Sequence, residues 1–218
     1  MLRKPLIRGV LFDWDGTLLD SYHADSAAYL EMFREMGIDW GLKQLAAHYS
    51  PNWHNVYRAA GLPRRRWREA DRAWRQSYAA HRPALLPGAR RVLGALKPRY
   101  RLGLVTSGDR DRVSRQLRDL RLTRAFLARV FAGDAPQRKP HPGSLLLALR
   151  RMRLAAETCV YVGDAPHDLL MARRARVRSI AIPGAFCSER KLREARPDLL
   201  LEGITELPGA LEEFTRIV

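Results

Sequence analysis

The stretch Leu6-Ile7-Arg8-Gly9-Val10-Leu11-Phe12-Asp13-Trp14-Asp15-Gly16-Thr17-Leu18-Leu19-Asp20 decides how the rest of the chain is read. Ile7 to Phe12 is a short, largely apolar run, the pattern of a strand buried on both faces. Asp13 and Asp15 follow at once, and Gly16 then breaks the strand. Two carboxylates beside a hydrophobic strand are costly unless something cationic compensates them, and a metal ion is the obvious candidate. Asp-x-Asp also opens an EF-hand calcium loop, but that loop has Gly at its sixth position and Glu at its twelfth. This chain has Leu18 and Ala24 there. What remains is a strand that delivers two acids to its C-terminal end, where open α/β sheets place their chemistry.

Downstream, the pattern alternates. After Asp20, with Asp20 or Ser21 as cap, Tyr22, Tyr29, Leu30, Phe33 and Met36 recur at near-helical spacing until Gly37. Between Trp40 and Arg82 the sequence predicts more helix and no strand. Asn52 to Ala60 ends at Gly61, and Pro63 opens a helix with Trp67, Ala70, Trp74 and Tyr78 on one stripe. Four of the five Trp and five of the seven Tyr fall between Tyr22 and Tyr78, so this aromatic block reads as a separate helical domain with its own core. Leu86-Pro87-Gly88 marks the return. The expected domains are therefore an α/β core over 1–19 and 87–218 and a helical insert over 20–86.

In the returning part, a helix over Ala89 to Leu96 leads to a strand over Leu102 to Val105, ending in Thr106-Ser107-Gly108. Asp109 caps a helix to about Leu120. A strand at Val130 to Ala132 precedes a Pro-rich loop carrying Lys139-Pro140-His141-Pro142, and a helix covers about Gly143 to Met152. A strand over Thr158 to Val162 ends in Gly163-Asp164-Ala165-Pro166-His167-Asp168. A helix at Leu169 to Ala175, strands at Val177 to Ile182 and near Leu199, and a helix near Glu206 to Ile217 complete the chain. Alternation of this kind predicts an α/β fold: a Rossmann-like, mainly parallel sheet with helices on both faces. Four strand ends then carry polar residues to one edge: Asp13 and Asp15, Thr106 and Ser107, Lys139, and Asp164 with Asp168. Each alone is a common helix cap or a solvated side chain; four together in one order are not.

Those four groups resemble the motifs of the haloacid dehalogenase superfamily of phosphotransferases, in its helical-cap, phosphoglycolate phosphatase-like branch. Asp13-Trp14-Asp15-Gly16-Thr17 matches the first motif, and the likeness runs over nearly the whole chain. The resemblance implies that Asp13 attacks phosphorus to form an aspartyl-phosphate, while Asp15 protonates the leaving oxygen and later deprotonates water. For the first of those tasks Asp15 should sit where its protonated form is favoured more than that of Asp13. Thr106 would hydrogen-bond a phosphoryl oxygen, with Ser107 the alternative one residue on. Gly16 and Thr17 would also border the phosphate, and Lys139 would balance Asp13 and the transferring group. Mg2+ is the implied cofactor, held by Asp13, the backbone carbonyl of Asp15, and Asp164, with Asp168 orienting Lys139 or the metal shell. Where the family pattern has Ala-Gly after the fourth-motif helix, this chain has Ala175-Arg176, which puts the local helix terminus in question. The dehalogenase branch uses no metal and lacks the second acid, so Asp15 and Asp164 argue for phosphate esters over halides.

The formal charge is +16, almost all of it Arg, since Lys occurs only at positions 4, 43, 97, 139 and 191. Such a balance favours anionic partners. Arg is spread along most of the chain, however, and Arg64, Arg65, Arg66, Arg68, Arg72 and Arg75 on one helix read first as a solvated face. The expected substrate is thus a small phosphorylated metabolite, with a sugar-phosphate mutase and a basic nucleic-acid-binding protein as the alternatives. No specific nucleic acid and no membrane partner are expected, because the apolar runs are too short to span a bilayer and no signal-peptide core is seen. Cys159 and Cys187 form neither a metal spacing nor a disulfide framework, which fits a cytoplasmic protein, monomeric or weakly dimeric.

Overall fold

A computed structural model describes residues 6–50 and 52–216. The chain divides into two compact units, residues 20–84 and the two flanking segments together. In the flanking unit, six strands form one parallel sheet: β1 (Gly9–Phe12), β2 (Arg101–Val105), β3 (Ala128–Val130), β4 (Cys159–Gly163), β5 (Arg178–Ala181) and β6 (Leu199–Leu200). Their order is β3-β2-β1-β4-β5-β6, every pairing parallel. The chain runs outward from β1 to one side and then crosses to the other, so β1 and its neighbours β2 and β4 flank the switch point where such sheets open a crevice.

Both faces of the sheet are covered, as its apolar strands require. Val10 and Phe12 point to one face with Leu102, Leu104, Val160, Val162 and Ile180. There they meet α5 (Ala89–Leu96), α6 (Arg110–Asp119) and α10 (Leu207–Arg216). Leu11, Tyr161 and Val130 point to the other, against α7 (Gly143–Met152) and α8 (Pro166–Arg174). A further helix, α9 (Glu189–Glu194), packs Leu192 against Leu169 and Ala181.

The helical unit contains α1 (Tyr22–Glu35), α2 (Leu42–His48), α3 (Trp53–Ala59) and α4 (Trp67–Ala79), preceded by a 3-10 turn at Arg64–Arg66. Tyr29, Met32, Phe33, Leu45, Val56, Tyr57 and Trp67 form its core. Two of the polar tips in that core are satisfied by Tyr57 donating to Asp71 (3.0 Å) and the Trp67 indole to the Leu62 carbonyl (2.9 Å). The aromatic stripe is core, and the six arginines expected on one helix divide between the 3-10 turn (Arg64, Arg65, Arg66) and α4 (Arg68, Arg72, Arg75), all but Arg66 exposed.

Several boundaries differ from the sequence expectation. The return to the α/β unit comes two residues earlier, at Leu85, because Leu85 bridges Leu19 and the Leu86 amide donates to Leu18. β3 lies at Ala128–Val130; Phe131 and Ala132 already belong to the turn, where Asp134 accepts from the Phe131 amide. α8 begins at Pro166, three residues early, and α9 had no counterpart in the pattern because Leu192 is its one buried residue. Ser21 stands at the N-cap of α1 without a capping hydrogen bond. Arg176 takes the left-handed conformation (φ 58°) that the missing glycine would have taken, so the α8 terminus keeps its geometry. Ile217 lies outside the described residues.

Candidate active site

The loop after β1 sets the site. The Asp13 amide donates to the Val162 carbonyl and so continues the ladder one residue past the strand. The next turn closes on itself, with the Leu18 and Leu19 amides on the Trp14 carbonyl and the Gly16 amide on that of Leu19. Gly16 has φ 79°, and a Cβ there would overlap the Asp164 carboxylate. Glycine is thus required for close approach as much as for backbone freedom. Because its N–H is used inside the turn, Gly16 shapes the site and does not donate to an incoming anion. Thr17 departs from expectation in the same way. Its hydroxyl donates to Asp164 Oδ1 (2.9 Å), so it orients that carboxylate.

Asp13, Asp164 and Asp168 bring one carboxylate oxygen each within 4.8 Å of one another. Lys139, almost wholly buried, reaches both Asp13 (2.9 Å) and Asp168 (2.8 Å). Burial pulls the Lys139 ammonium down, but Asp13 and Asp168 outweigh it and leave it above its ordinary value. Burial pushes the Asp13 carboxyl up to about 7, with Asp168 adding and Lys139 opposing. Asp164 is raised well above the usual carboxylate range, first by burial and then by Asp13 and Asp168. Three buried carboxylates sharing one ammonium leave a local excess of negative charge on hard oxygen donors. That donor set, with a cradle that a Cβ at Gly16 would fill, fits a small divalent cation.

Asp168 is committed elsewhere. Its Oδ1 accepts from Lys139 and its Oδ2 from the Ala165 amide (3.2 Å) at the start of α8. It therefore orients Lys139. Thr106, buried at the end of β2, accepts the Gly108 amide on its Oγ1 (2.9 Å), which leaves the hydroxyl proton to donate outward. Ser107 is half-buried beside it.

Asp15 has the surroundings least expected. Its carboxylate is gripped by Arg112 of α6, Nη1 to Oδ1 at 3.0 Å and Nη2 to Oδ2 at 2.7 Å. A guanidinium fork stabilises a carboxylate, not a carboxylic acid. The expectation that the surroundings favour the protonated form of Asp15 over that of Asp13 is therefore reversed: burial acts on Asp13, and an ion pair acts on Asp15. Sequence reading also missed Tyr161, whose hydroxyl accepts from Lys139 (2.8 Å) and donates to the Val105 carbonyl (2.9 Å). A tyrosine in the otherwise small and aliphatic strand Cys-Val-Tyr-Val-Gly was the available signal. For Arg112 there was none, since nothing in the pattern separates it from the other arginines.

A parallel sheet of order 3-2-1-4-5-6, with two acids after β1, a hydroxyl after β2, a lysine after β3 and an acid after β4, defines a class of hydrolases. The family model for haloacid dehalogenase-like hydrolases matches residues 10–182, and the chain belongs to that family. Among its relatives is the phosphoglycolate phosphatase of Pseudomonas fluorescens, 27% identical over 100% of this chain and 85% of that protein. Another is the pyrophosphatase PpaX of Bacillus cereus, 25% identical over 96% of this chain and 99% of that one. Among solved structures, a haloacid dehalogenase-like hydrolase of Streptococcus pneumoniae superposes with a TM-score of 0.83 at 25% identity, over 94% and 98% of the two chains. The protein is a phosphatase of this family, in its phosphoglycolate phosphatase-like branch. No helix among the described residues is long and apolar enough to cross a membrane.

Proposed function

We propose that this protein is a magnesium-dependent phosphatase that hydrolyses a small phosphate monoester through an aspartyl-phosphate on Asp13. The observation that carries this reading is the buried cluster of Asp13, Asp164 and Lys139 at the strand ends, with the Thr106 hydroxyl proton left to donate. Asp13, the Asp15 carbonyl and Asp164 would hold the ion, which when bound supplies positive charge against the phosphoryl oxygens. Lys139 offsets the charge of Asp13 and of the arriving phosphate, so an anionic nucleophile can approach an anionic centre. Asp13 attacks phosphorus as the ester P–O bond breaks, and the leaving oxygen takes a proton from the minor, protonated form of Asp15. The carboxylate so formed takes a proton from the water that cleaves the aspartyl-phosphate, which restores Asp15 for the next cycle.

The helical unit is read as a cap. Its connections leave and re-enter the α/β unit at Leu19 and Leu85, immediately downstream of the Asp13–Thr17 turn. A closing cap expels water and admits small substrates over polymers. The relatives named above act on phosphoglycolate and pyrophosphate, so both belong in the test, with sugar phosphates, a phosphopeptide and a 5′-phosphorylated oligonucleotide beside them. With magnesium, the small esters are expected to turn over fastest. A chelator is expected to abolish activity, and Asp13→Asn to release no phosphate. Full activity in chelator removes the metal, phosphate release by Asp13→Asn removes the covalent step, and faster hydrolysis of either polymer removes the cap.

A further inference from the structure

Arg112 belongs to none of the groups that define the reaction, yet it is built into the site as firmly as they are. It lies on the first turn of α6, whose start is fixed by the Asp109 carboxylate accepting the Arg112 amide (3.0 Å). Its side chain runs back across Gly108, where a Cβ would overlap the guanidinium. Only 12% of that side chain is exposed. Beyond the two bonds to Asp15, Nη1 reaches Gln116 Oε1 (3.5 Å), and Asp109 Oδ2 stands 3.8 Å from Nε. Gln116 Oε1 is itself held by the buried Trp14 indole (2.8 Å), and Trp14 sits between Asp13 and Asp15 in the chain. The support therefore runs from the Asp13–Thr17 turn through Trp14, Gln116 and Arg112, and returns to that turn at Asp15.

We propose that Arg112 is the positioning residue for Asp15, fixing the plane and direction of its carboxylate for proton exchange with the leaving group. This rests on the proposed role of Asp15 in the phosphatase reaction. A bidentate fork takes one lone pair from each carboxylate oxygen and leaves the second pair of each facing away. Asp15 is thereby held in one orientation. The fork opposes protonation of Asp15, so removing it eases protonation but also lets the side chain rotate about two torsions. Misplacement must then be the larger effect, since a displacement of about 1 Å can cost about 10²-fold in rate. In this proposal Arg112 acts through Asp15.

The test uses leaving groups that need protonation to different degrees. Pre-steady-state phosphorylation by a series of aryl phosphates and one alkyl phosphate is measured for wild type, Arg112→Met, Arg112→Lys, Asp15→Asn and the Arg112→Met/Asp15→Asn double variant. Arg112→Met is expected to slow the alkyl ester about 10²-fold in kcat, and the nitrophenyl ester less than about 3-fold, with KM nearly unchanged. The dependence of rate on leaving-group basicity thus steepens toward that of Asp15→Asn. Arg112→Lys, keeping the charge without the fork, is expected to fall between. In the Asp15→Asn background the Arg112 substitution should add nothing, because the two act through one group. Gln116→Leu leaves the ion pair in place and loosens its support; it should steepen the dependence to a smaller extent, and serves if Arg112→Met does not fold. An equal loss across the whole series, or additive effects in the double variant, overturns the proposal. A wild-type dependence unchanged by Asp15→Asn overturns the role of Asp15 itself, and this proposal with it.

Discussion

Asp13 and Asp15 leave the same strand two residues apart and stand in opposite surroundings. Asp13 faces a sealed cluster in which Lys139 is shared with Asp168, and Tyr161 and Asp164 lie close by. Asp15 faces a somewhat more open arrangement, its side chain 23% exposed against 14% for Asp13, and it is paired with an arginine that carries its own scaffold. On the first side the charges are crowded and incompletely balanced, so the cluster is poised to gain from a cation. On the second the charge is balanced already, and what the structure supplies is direction. Two acids of one type at one strand end are thus prepared for different tasks by what packs around them.

Exchanging each acid for its amide is the sharpest break in that comparison. Asp13→Asn is expected to lower turnover by about 10⁴- to 10⁶-fold, with no phosphoenzyme trapped, because the neutral amide is not an anionic nucleophile and cannot form the acyl-phosphate. Asp15→Asn should still form phosphoenzyme from an aryl phosphate and then hydrolyse it slowly, so rapid quench should find it accumulated. Phosphoenzyme in the first variant, or none in the second, would make the two acids interchangeable and sink the division of labour.

Lys139→Met comes next. Removing the partner of buried carboxylates strands their charge, a loss on the order of 3–5 kcal/mol in buried pairs. Urea denaturation should show a fall of that order, largest without metal and partly recovered with magnesium, together with a large drop in turnover. A midpoint within error of wild type would mean that the cluster is less sealed than its burial indicates. Arg112→Met breaks a mostly buried pair whose Asp15 side chain stays 23% exposed, so its cost should lie between the roughly 1 kcal/mol of exposed pairs and the roughly 3–5 kcal/mol of buried ones.

The crowding also sets a pH dependence. The carboxyl of Asp13 holds its proton to about pH 7 in the folded protein and to 3.8 when unfolded, and Asp164 is shifted the same way. Between those values the unfolded chain has released protons that the folded one retains. Raising the pH through that window therefore lowers the stability of the metal-free protein. The urea midpoint at pH 7.5 should lie below that at pH 5, and the difference should shrink in Asp13→Asn. Magnesium should stabilise most at the upper end, where the carboxylates no longer need to lose a proton to bind it. A metal-free midpoint that rises with pH would contradict the burial argument.

Much of this site was legible because strand ends in a parallel sheet converge by rule. Apolar runs and their breaks brought Asp13, Thr106 with Ser107, Lys139 and Asp164 to one sheet edge, and the family resemblance assigned their roles. What escaped were atoms whose role depends on how they are already used. Gly16 and Thr17 were expected to border the phosphate, and the fold uses the Gly16 amide on Leu19 and the Thr17 hydroxyl on Asp164. Asp168 was legible as a site residue but hid the start of α8, because one side chain serves both Lys139 and the Ala165 amide. Arg112 escaped for a statistical reason, since a chain whose charge is almost all arginine offers no contrast. The same abundance fills left-handed helix termini at Arg121, Arg153, Arg176 and Arg196, where the helical unit uses Gly37 and Gly61.

The smallest expected effect separates the two sides most cleanly. Tyr161→Phe removes one hydroxyl from the sealed cluster, so Lys139 loses an acceptor and the Val105 carbonyl loses its donor. Stranding such a group costs about 1–2 kcal/mol, while Lys139 keeps Asp13 and Asp168 and so keeps its place. The variant should therefore be less stable by that amount and turn over within a few-fold of wild type. Its dependence on leaving-group basicity should be unaltered, since nothing on the Asp15 side has moved. Gln116→Leu should steepen that dependence, with a loss of stability of similar order because it strands the buried Trp14 indole N–H. If Tyr161→Phe steepened it as well, the two acids would be coupled through the turn that joins them, and the separation drawn here between balance on one side and direction on the other would not hold.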